Sequence, residues 1–379
     1  MIRGHGGNIH ELARELGCGP GDIIDMSSNV NPLGPPEGLV DHLRENLDAI
    51  TSLPQVDAAG IIRSFAAYHG IPEDRILAGN GTTQFIYALP LALQSRRALI
   101  LGPTYADYGD ACAMHDVPAH FLIADETRDF APDLDAAARR AADADLVFIC
   151  NPNNPTGAFI PADDLAGLCR SRPDALFIID ESYLPFVDDG EAHSLAGRNL
   201  PNVVVLNSMS KIFRVPGLRI GFLVGPPSVI DRIGRYALPW SVNALAQAAV
   251  AFLMENPDAQ AEFIRGTRET LAAERRKFAS ALSAMPSIRP FPSQTSFILL
   301  RLSDGLTAEG VCGGLARRRI LIRDCSNFKG LSDRHIRISL KTGDINRVVL
   351  GALRDIVSTS TTLKPAPEKI RHRSASRQK

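Results

Sequence analysis

Between Val203 and Gly221 the chain reads Val-Val-Val-Leu-Asn-Ser208-Met-Ser210-Lys211-Ile-Phe-Arg-Val-Pro-Gly-Leu-Arg219-Ile-Gly. A β-branched apolar run of strand length delivers Ser208, Ser210 and Lys211 together at its polar end. Arg219 then opens a second apolar run, Ile220 to Val224, so two neighbouring strands would return a second cation to the same place. Two hydroxyls, a lysine and an arginine suit a dianion beside a reactive amine. A lysine desolvated near another cation has a lowered pKa and attacks an aldehyde, while arginine and hydroxyls hold a phosphate. That is the chemistry of a Schiff base to pyridoxal phosphate. In isolation a Ser-x-Ser-Lys is more often a polar turn at the surface, so the reading depends on the rest of the chain.

Several other stretches supply compatible groups. A strand-like run from Ile76 passes through Gly81-Thr82-Thr83 into a helix, where free amides and two hydroxyls make a phosphate cradle. A threonine N-cap is compatible with that cradle. Ala98 to Leu101 reads as a strand, and Tyr105 beyond its end can stack on a flat heterocycle or sit at a core edge. Asp145 to Cys150 is strand-like and runs into Asn151-Pro-Asn-Asn154-Pro-Thr-Gly157, a sharp turn that leaves an asparagine side chain available as a donor. Leu176 to Asp180, followed by Tyr183, ends a buried-strand run on a carboxylate, which must be paired to stay ionised. A protonated pyridine nitrogen would satisfy it; capping the next turn is the alternative. Gly4-His5-Gly6-Gly7-Asn8 lets backbone approach a ligand or forms a flexible arm, and Asn31 in the turn-rich Ser27 to Pro36 loop binds a polar group or caps a turn.

The elements that must position these groups follow from periodicity. Helices are expected over Ile9 to Leu16, Leu39 to Leu47, Ile61 to His69, Ser228 to Tyr236 and Val242 to Met254, with a long amphipathic stretch from Ala259 to Ala284. A second, smaller domain would hold strands near Ser296 to Leu302, Ile320 to Arg323 and Ile336 to Leu340, with helices around Ala308 to Arg318 and Asn346 to Val357. The expected organisation is an N-terminal arm over 1–40, a large domain over 41–255, a small domain over 256–357 and a disordered basic tail over 358–379. With 379 residues, 45% hydrophobic and 22% charged, the chain reads as an ordinary globular enzyme. A net charge of −1 gives no footprint for nucleic acid or an anionic membrane. No apolar run is long enough to span a bilayer and no signal core is evident, so the expected location is cytoplasmic. Cys18, Cys112, Cys150, Cys169, Cys312 and Cys325 are scattered without a Cys-x-x-Cys pair, so neither a metal site nor a disulfide framework is expected.

Taken in order, Gly81-Thr-Thr, Tyr105, the Asn154 turn, Asp180, Tyr183, Ser-x-Ser-Lys211 and Arg219 resemble the site pattern of the fold-type-I pyridoxal-phosphate enzymes, over roughly residues 1–357. The resemblance implies an α/β fold, with a large domain built on a mostly parallel seven-stranded sheet and a small C-terminal α/β domain, assembled as a homodimer. It assigns Lys211 to the Schiff base and to proton transfer, and Asp180 to the pyridine nitrogen. Asn154 and Tyr183 would meet the phenolic oxygen, Tyr105 would stack on the ring, and Thr82, Thr83, Ser208, Ser210 and Arg219 would share the phosphate. Arg337 matches the arginine that pairs with a substrate carboxylate, for which a bidentate guanidinium is suited.

Within that group the core motifs are shared with histidinol-phosphate aminotransferases. The stretches His5-Gly-Gly-Asn-Ile-His, Asn29-Val-Asn31-Pro-Leu-Gly34, Pro239-Trp-Ser-Val-Asn243 and Ile320-Leu-Ile-Arg323-Asp-Cys-Ser-Asn327 are more similar to the threonine-phosphate decarboxylases of cobalamin biosynthesis. This second resemblance implies decarboxylation of L-threonine O-phosphate, with His5, Asn31 and Arg323 toward the substrate phosphate. Amino transfer and decarboxylation of L-serine O-phosphate are the alternatives, since one methyl in a pocket gives only about 1–3 kcal/mol of discrimination. A non-catalytic regulator on the same fold would need an added DNA-binding module, for which the N-terminus has no room. Leu53-Pro54 departs from the family's Tyr-Pro pair, whose tyrosine reaches the cofactor phosphate of the neighbouring subunit. The lost hydrogen bond to a charged group costs about 1.5–3 kcal/mol.

Overall fold

The computed structural model describes residues 6–362, the side chains of 359–362 excepted. Its centre is a seven-stranded sheet whose strands lie in the order Ile76–Gly79, Gly221–Val224, Val203–Ser208, Leu176–Asp180, Leu146–Cys150, Ala98–Gly102 and Ala119–Ile123. Gly221–Val224 runs antiparallel to both neighbours and the other strand pairs are parallel.

The inner strands are continuously apolar because helices cover both faces of the sheet. Successive side chains go to opposite sides. Val147, Ile149, Phe177, Ile179, Val203 and Val205 join one core, while Leu146, Phe148, Ile178, Val204 and Leu206 join the other. Each such side chain contributes about 1.5–3 kcal/mol on burial.

Parallel strands bring their C-terminal ends to one edge. Cys150 is in register with Asp180, Asp180 with Leu206, and Ser208 with Gly221, which in turn faces Gly79. The turns that follow Gly79, Cys150, Asp180 and Ser208 therefore converge. This is where an open α/β sheet offers a crevice for ligands.

A second sheet has the antiparallel order Arg323–Asp324, His335–Ser339, Phe297–Leu302 and Ile288–Pro290. The helix Pro257–Ser283 leads into it from the large sheet. Near the N-terminus, Ile24–Asp25 pairs in parallel with Ile320–Leu321, so the early chain is tied to the late chain. The expected strand Ile320 to Arg323 is two short strands, because the chain changes partner at Ile322: Ile320–Leu321 pairs with Ile24–Asp25, and Arg323–Asp324 pairs with His335–Ser339. The last helix, Gly343–Thr362, continues beyond the expected end at Val357. Neither glycine nor proline follows Val357 before Pro365, and the Ser-Thr run only weakens a helix without breaking it. The basic tail expected from 358 is thus helical to Thr362, and its remainder lies outside the described residues.

Candidate active site

Gly81 caps the helix Thr82–Ala92 with φ +74°, a conformation that favours glycine. A Cβ there would stand 2.6 Å from Nη2 of Arg219, and one on Gly221 would stand 2.7 Å from the backbone nitrogen of Thr82. The two glycines let a guanidinium and the first free amides of the helix crowd around one space. Thr82, Thr83, Ser208, Ser210 and Arg219 line that space together with Lys211. Helix amides, hydroxyls and a guanidinium form a cup for a dianion.

Lys211 lies on the helical turn Met209–Ile212, directly after the strand that ends at Ser208. Its amine is pushed down to about 8, by desolvation first and then by the Arg219 and Arg337 cations, with Asp180 opposing. Opposite it, Asp180 is buried and accepts three hydrogen bonds. Ser182 donates its amide (3.0 Å) and its hydroxyl (2.5 Å) to Oδ1, and the Tyr108 phenol donates to Oδ2 at 2.8 Å. Three donors offset the desolvation of a buried carboxylate.

Tyr105, Asn154 and Tyr183 line the same pocket. Burial raises the Tyr183 phenol to about 12, and the Asn29 amide donates to it at 3.2 Å. Tyr105 meets Tyr108 edge-on at 5.8 Å, and Tyr108 stacks on Phe148 at 5.1 Å. Burial, followed by the Asp107 carboxylate, raises the Tyr105 phenol.

Arg337 enters from the smaller sheet. Its Nη1 donates to Oδ1 of Asn154, its Nη2 donates to the Ser27 carbonyl at 2.7 Å, and the guanidinium lies 5.3 Å from the Phe297 ring centre. The Nε of Arg337 is buried with no partner among the described residues. Arg323 is in register with Arg337 on the adjacent strand, donates to Asn327 Oδ1 at 2.6 Å, and lies 5.2 Å from the Phe328 ring centre.

Asn31 is placed differently from the expectation. It is fully buried, its Nδ2 donates to Ile212 O (2.9 Å) and Thr267 Oγ1 (2.8 Å), and its Oδ1 accepts from Leu33 N (2.9 Å). Its own amide donates to Lys211 O at 2.9 Å. A side chain with both amide hydrogens committed has none left for an anion, so Asn31 braces the Lys211 turn instead of reaching a phosphate. His5 lies outside the described residues.

Tyr108, Ser182 and Asn29 are site residues that the sequence reading did not single out. Asn29 was visible only as part of the same loop as Asn31. Ser182 follows Asp180 at the spacing of an Asx-turn, a signal that was available. Among the described residues no group of His, Cys, Asp and Glu could hold a metal ion, and no helix is long and apolar enough to cross a membrane.

Cup, lysine and carboxylate are groups that fit pyridoxal phosphate. Comparison with known proteins agrees. The family model for aminotransferase class I and II matches residues 21–353. Threonine-phosphate decarboxylase of Salmonella typhimurium is 33% identical over 359 residues, covering 93% of this chain and 96% of that protein. A histidinol-phosphate aminotransferase of Ralstonia nicotianae is 30% identical, over 92% of this chain and 93% of that protein. The crystal structure of L-threonine-O-3-phosphate decarboxylase from Porphyromonas gingivalis superposes with a TM-score of 0.79 at 30% identity, covering 89% of this chain and all of that one.

Proposed function

The chain belongs to the aminotransferase class I and II family, and from that premise we propose that it decarboxylates L-threonine O-phosphate to (R)-1-amino-2-propanol O-phosphate in cobalamin biosynthesis. The observation that carries this reading is the near-full-length similarity to threonine-phosphate decarboxylase, joined to a site in which one amine stands among two guanidiniums and a carboxylate. Pyridoxal phosphate, when bound, supplies an electrophilic carbonyl and a ring that accepts the electron pair of the broken bond. The protein's own groups do the rest.

Lys211 presents an amine that is substantially neutral near pH 8 and carries protons at its Nζ. Asp180, which accepts hydrogen bonds from Tyr108 and Ser182, would hold the pyridine nitrogen of the cofactor. Asn154 has its oxygen turned to Arg337, which leaves its Nδ2 to donate beside the Tyr183 phenol. Tyr105 would cover the ring, and Thr82, Thr83, Ser208, Ser210 and Arg219, which line the same pocket, would hold the cofactor phosphate. Arg337 takes the substrate carboxylate with its unspent Nε, and Arg323, on the adjacent strand, takes the substrate phosphate.

A homodimer in the cytoplasm belongs to the same reading. Leu47, Ile50, Leu53, Val56, Leu238 and Trp240 are large apolar side chains left exposed, Leu53 at 76%. Val56 O accepts from Trp240 N at 2.9 Å, and Asn243 donates to Leu218 O at 2.8 Å, so this surface adjoins the Arg219 turn. Exposed large apolar side chains beside a site call for a partner, and a second copy would close the pocket there.

The test is incubation of the cofactor-loaded protein with L-threonine O-phosphate and no oxo acid. Carbon dioxide and aminopropanol phosphate should both form, and both should be lost in Lys211→Ala. Oxo-acid-dependent amino transfer from histidinol phosphate, without carbon dioxide, would replace the proposal with an aminotransferase. A preference for L-serine O-phosphate would change the substrate but not the reaction.

A further inference from the structure

Ser27 is the point at which the N-terminal segment and Arg337 meet. Its hydroxyl donates to Asp25 Oδ1 and accepts from Gly7 N, both at 2.7 Å, while its carbonyl accepts from Arg337 Nη2 at 2.7 Å. Asp25 also accepts from the amides of Ser27 (2.8 Å) and Ser28 (3.1 Å) and from the Ser28 hydroxyl (2.5 Å). Burial pushes the Asp25 carboxyl up, but the serine donors outweigh it and hold the group below its ordinary value. The turn is thus an ionised Asx-type knot, and Ser27 itself is 1% exposed.

This knot is tied to the strand that carries Arg337. Met26 donates to Leu321 O at 2.7 Å and accepts from Ser339 N at 2.8 Å, which ties the turn to the strand His335–Ser339 that carries the arginine. The other guanidinium nitrogen with a partner reaches across to Asn154, and Phe297 supports the plane from the side. Gly6 packs on the same carbonyl, since a Cβ there would stand 2.8 Å from Ser27 O. A side chain at position 6 would force a shift either of the N-terminal segment or of the oxygen that Arg337 uses.

We propose that Ser27, with Gly6 docked on it, is a positioning residue that sets the plane of the Arg337 guanidinium and so the direction of the substrate carboxylate. The inference rests on the assignment of Arg337 to that carboxylate in the proposed function. It makes the N-terminal segment part of the control over which bond is presented for cleavage. A merely structural turn would affect every ligand of the site alike; a positioning device affects only ligands with a carboxylate.

Calorimetric titration of the full chain separates these cases. A Lys211→Ala background prevents turnover, and the two titrants are L-threonine O-phosphate and (R)-1-amino-2-propanol O-phosphate, which differ by the carboxylate. Gly6→Ala should weaken binding of the first about tenfold, the size expected for a disturbed hydrogen bond to a charged group, and leave the second within about twofold. Ser27→Ala, which keeps the carbonyl but frees Gly7 and one Asp25 bond, should shift the same ligand in the same direction by less. Equal weakening of both ligands, or of neither, would overturn the proposal. If the Lys211→Ala parent binds neither phosphate ester, the decarboxylase reading fails separately. Positioning is then read from maleate, which Gly6→Ala should weaken, against inorganic phosphate, which it should not; equal effects on these two would again overturn it.

Discussion

The phenol of Tyr108 donates a 2.8 Å hydrogen bond to Oδ2 of Asp180, and both residues are buried. A carboxylate assigned to a pyridinium partner thereby depends on a side chain from the helix Asp107–Met114. Tyr108→Phe keeps the stack on Phe148 and removes only the donor. A hydrogen bond to a charged group contributes about 1.5–3 kcal/mol, so kcat should fall by about 10- to 100-fold with little change in far-UV circular dichroism. Unchanged kcat would mean that Ser182 alone suffices to hold Asp180.

The Lys211 amine should impose its own pH dependence on cofactor capture. Its value in the folded chain is about 8, below the ordinary lysine value, so the neutral nucleophile is scarce below pH 8 and dominant above it. The rate at which cofactor-free protein takes up pyridoxal phosphate, followed by absorbance, should rise with pH and level off above about 8. Linkage has the same origin. With the folded-state value depressed, the unfolded chain binds more protons between about 8 and the ordinary lysine range, so cofactor-free stability gains from this group as pH rises through that window. A capture rate that kept rising to pH 10 would contradict the assigned environment.

Much of this site could be read in the chain because its chemistry sits at strand ends. Asp180 ends the apolar run Leu176 to Ile179, and Lys211 lies in the polar turn just beyond the run Val203 to Leu206, and a strand buried on both faces has that pattern. The Tyr108–Asp180 bond joins residues far apart in sequence, and only the parallel register of the sheet brings them together. Asn29 and Asn31 show a different limit. Both lie in one polar loop, yet one donates to Tyr183 while the other braces Ile212 and Thr267, and loop composition does not say which amide is already spent. The edge strand Ala119–Ile123 is not legible in the sequence either, since its partly buried side chains lack the continuous apolar run of the inner strands.

Asn31 should therefore behave as a structural residue. Asn31→Ala removes donors to Ile212 O and Thr267 Oγ1, both in buried surroundings, and each orphaned group costs about 1–3 kcal/mol. Thermal unfolding of the variant should show a clear drop in Tm. In the fraction that stays folded, the KM for the phosphorylated substrate should change less than kcat, because the Lys211 turn loses its brace. A large KM increase with native Tm would instead return Asn31 to the substrate phosphate.

The exposed apolar surface around Leu53 and Trp240 gives a prediction on assembly. Ile50→Asp combined with Leu53→Asp places charges on side chains that are 63% and 76% exposed in the isolated chain, so a monomer should tolerate them. A dimer closed over this face should dissociate, and light scattering should report about half the mass. Cofactor affinity should fall with it. Leu53→Tyr tests the converse: a phenol reaching the neighbouring cofactor phosphate should tighten pyridoxal phosphate binding by about 1.5–3 kcal/mol.

Gly221 offers the sharpest test of the phosphate cup. The residue faces Ser208 across one strand pair and Gly79 across the other, and its Cα lies against the first amide of the helix Thr82–Ala92. In Gly221→Ala the new methyl would stand 2.7 Å from Thr82 N and 2.9 Å from its Cγ2, so the helix start must move. The amides that move are those aimed at the cofactor phosphate, and helix-terminal anion binding depends on that aim. Overpacking of this kind costs about 1–3 kcal/mol, which should appear chiefly as about a 10- to 100-fold weaker dissociation constant for pyridoxal phosphate, measured by equilibrium dialysis. Gly217→Ala is the control, because a Cβ there meets nothing within 4 Å. If both variants bind the cofactor as the parent does, the cup is not where the phosphate is held.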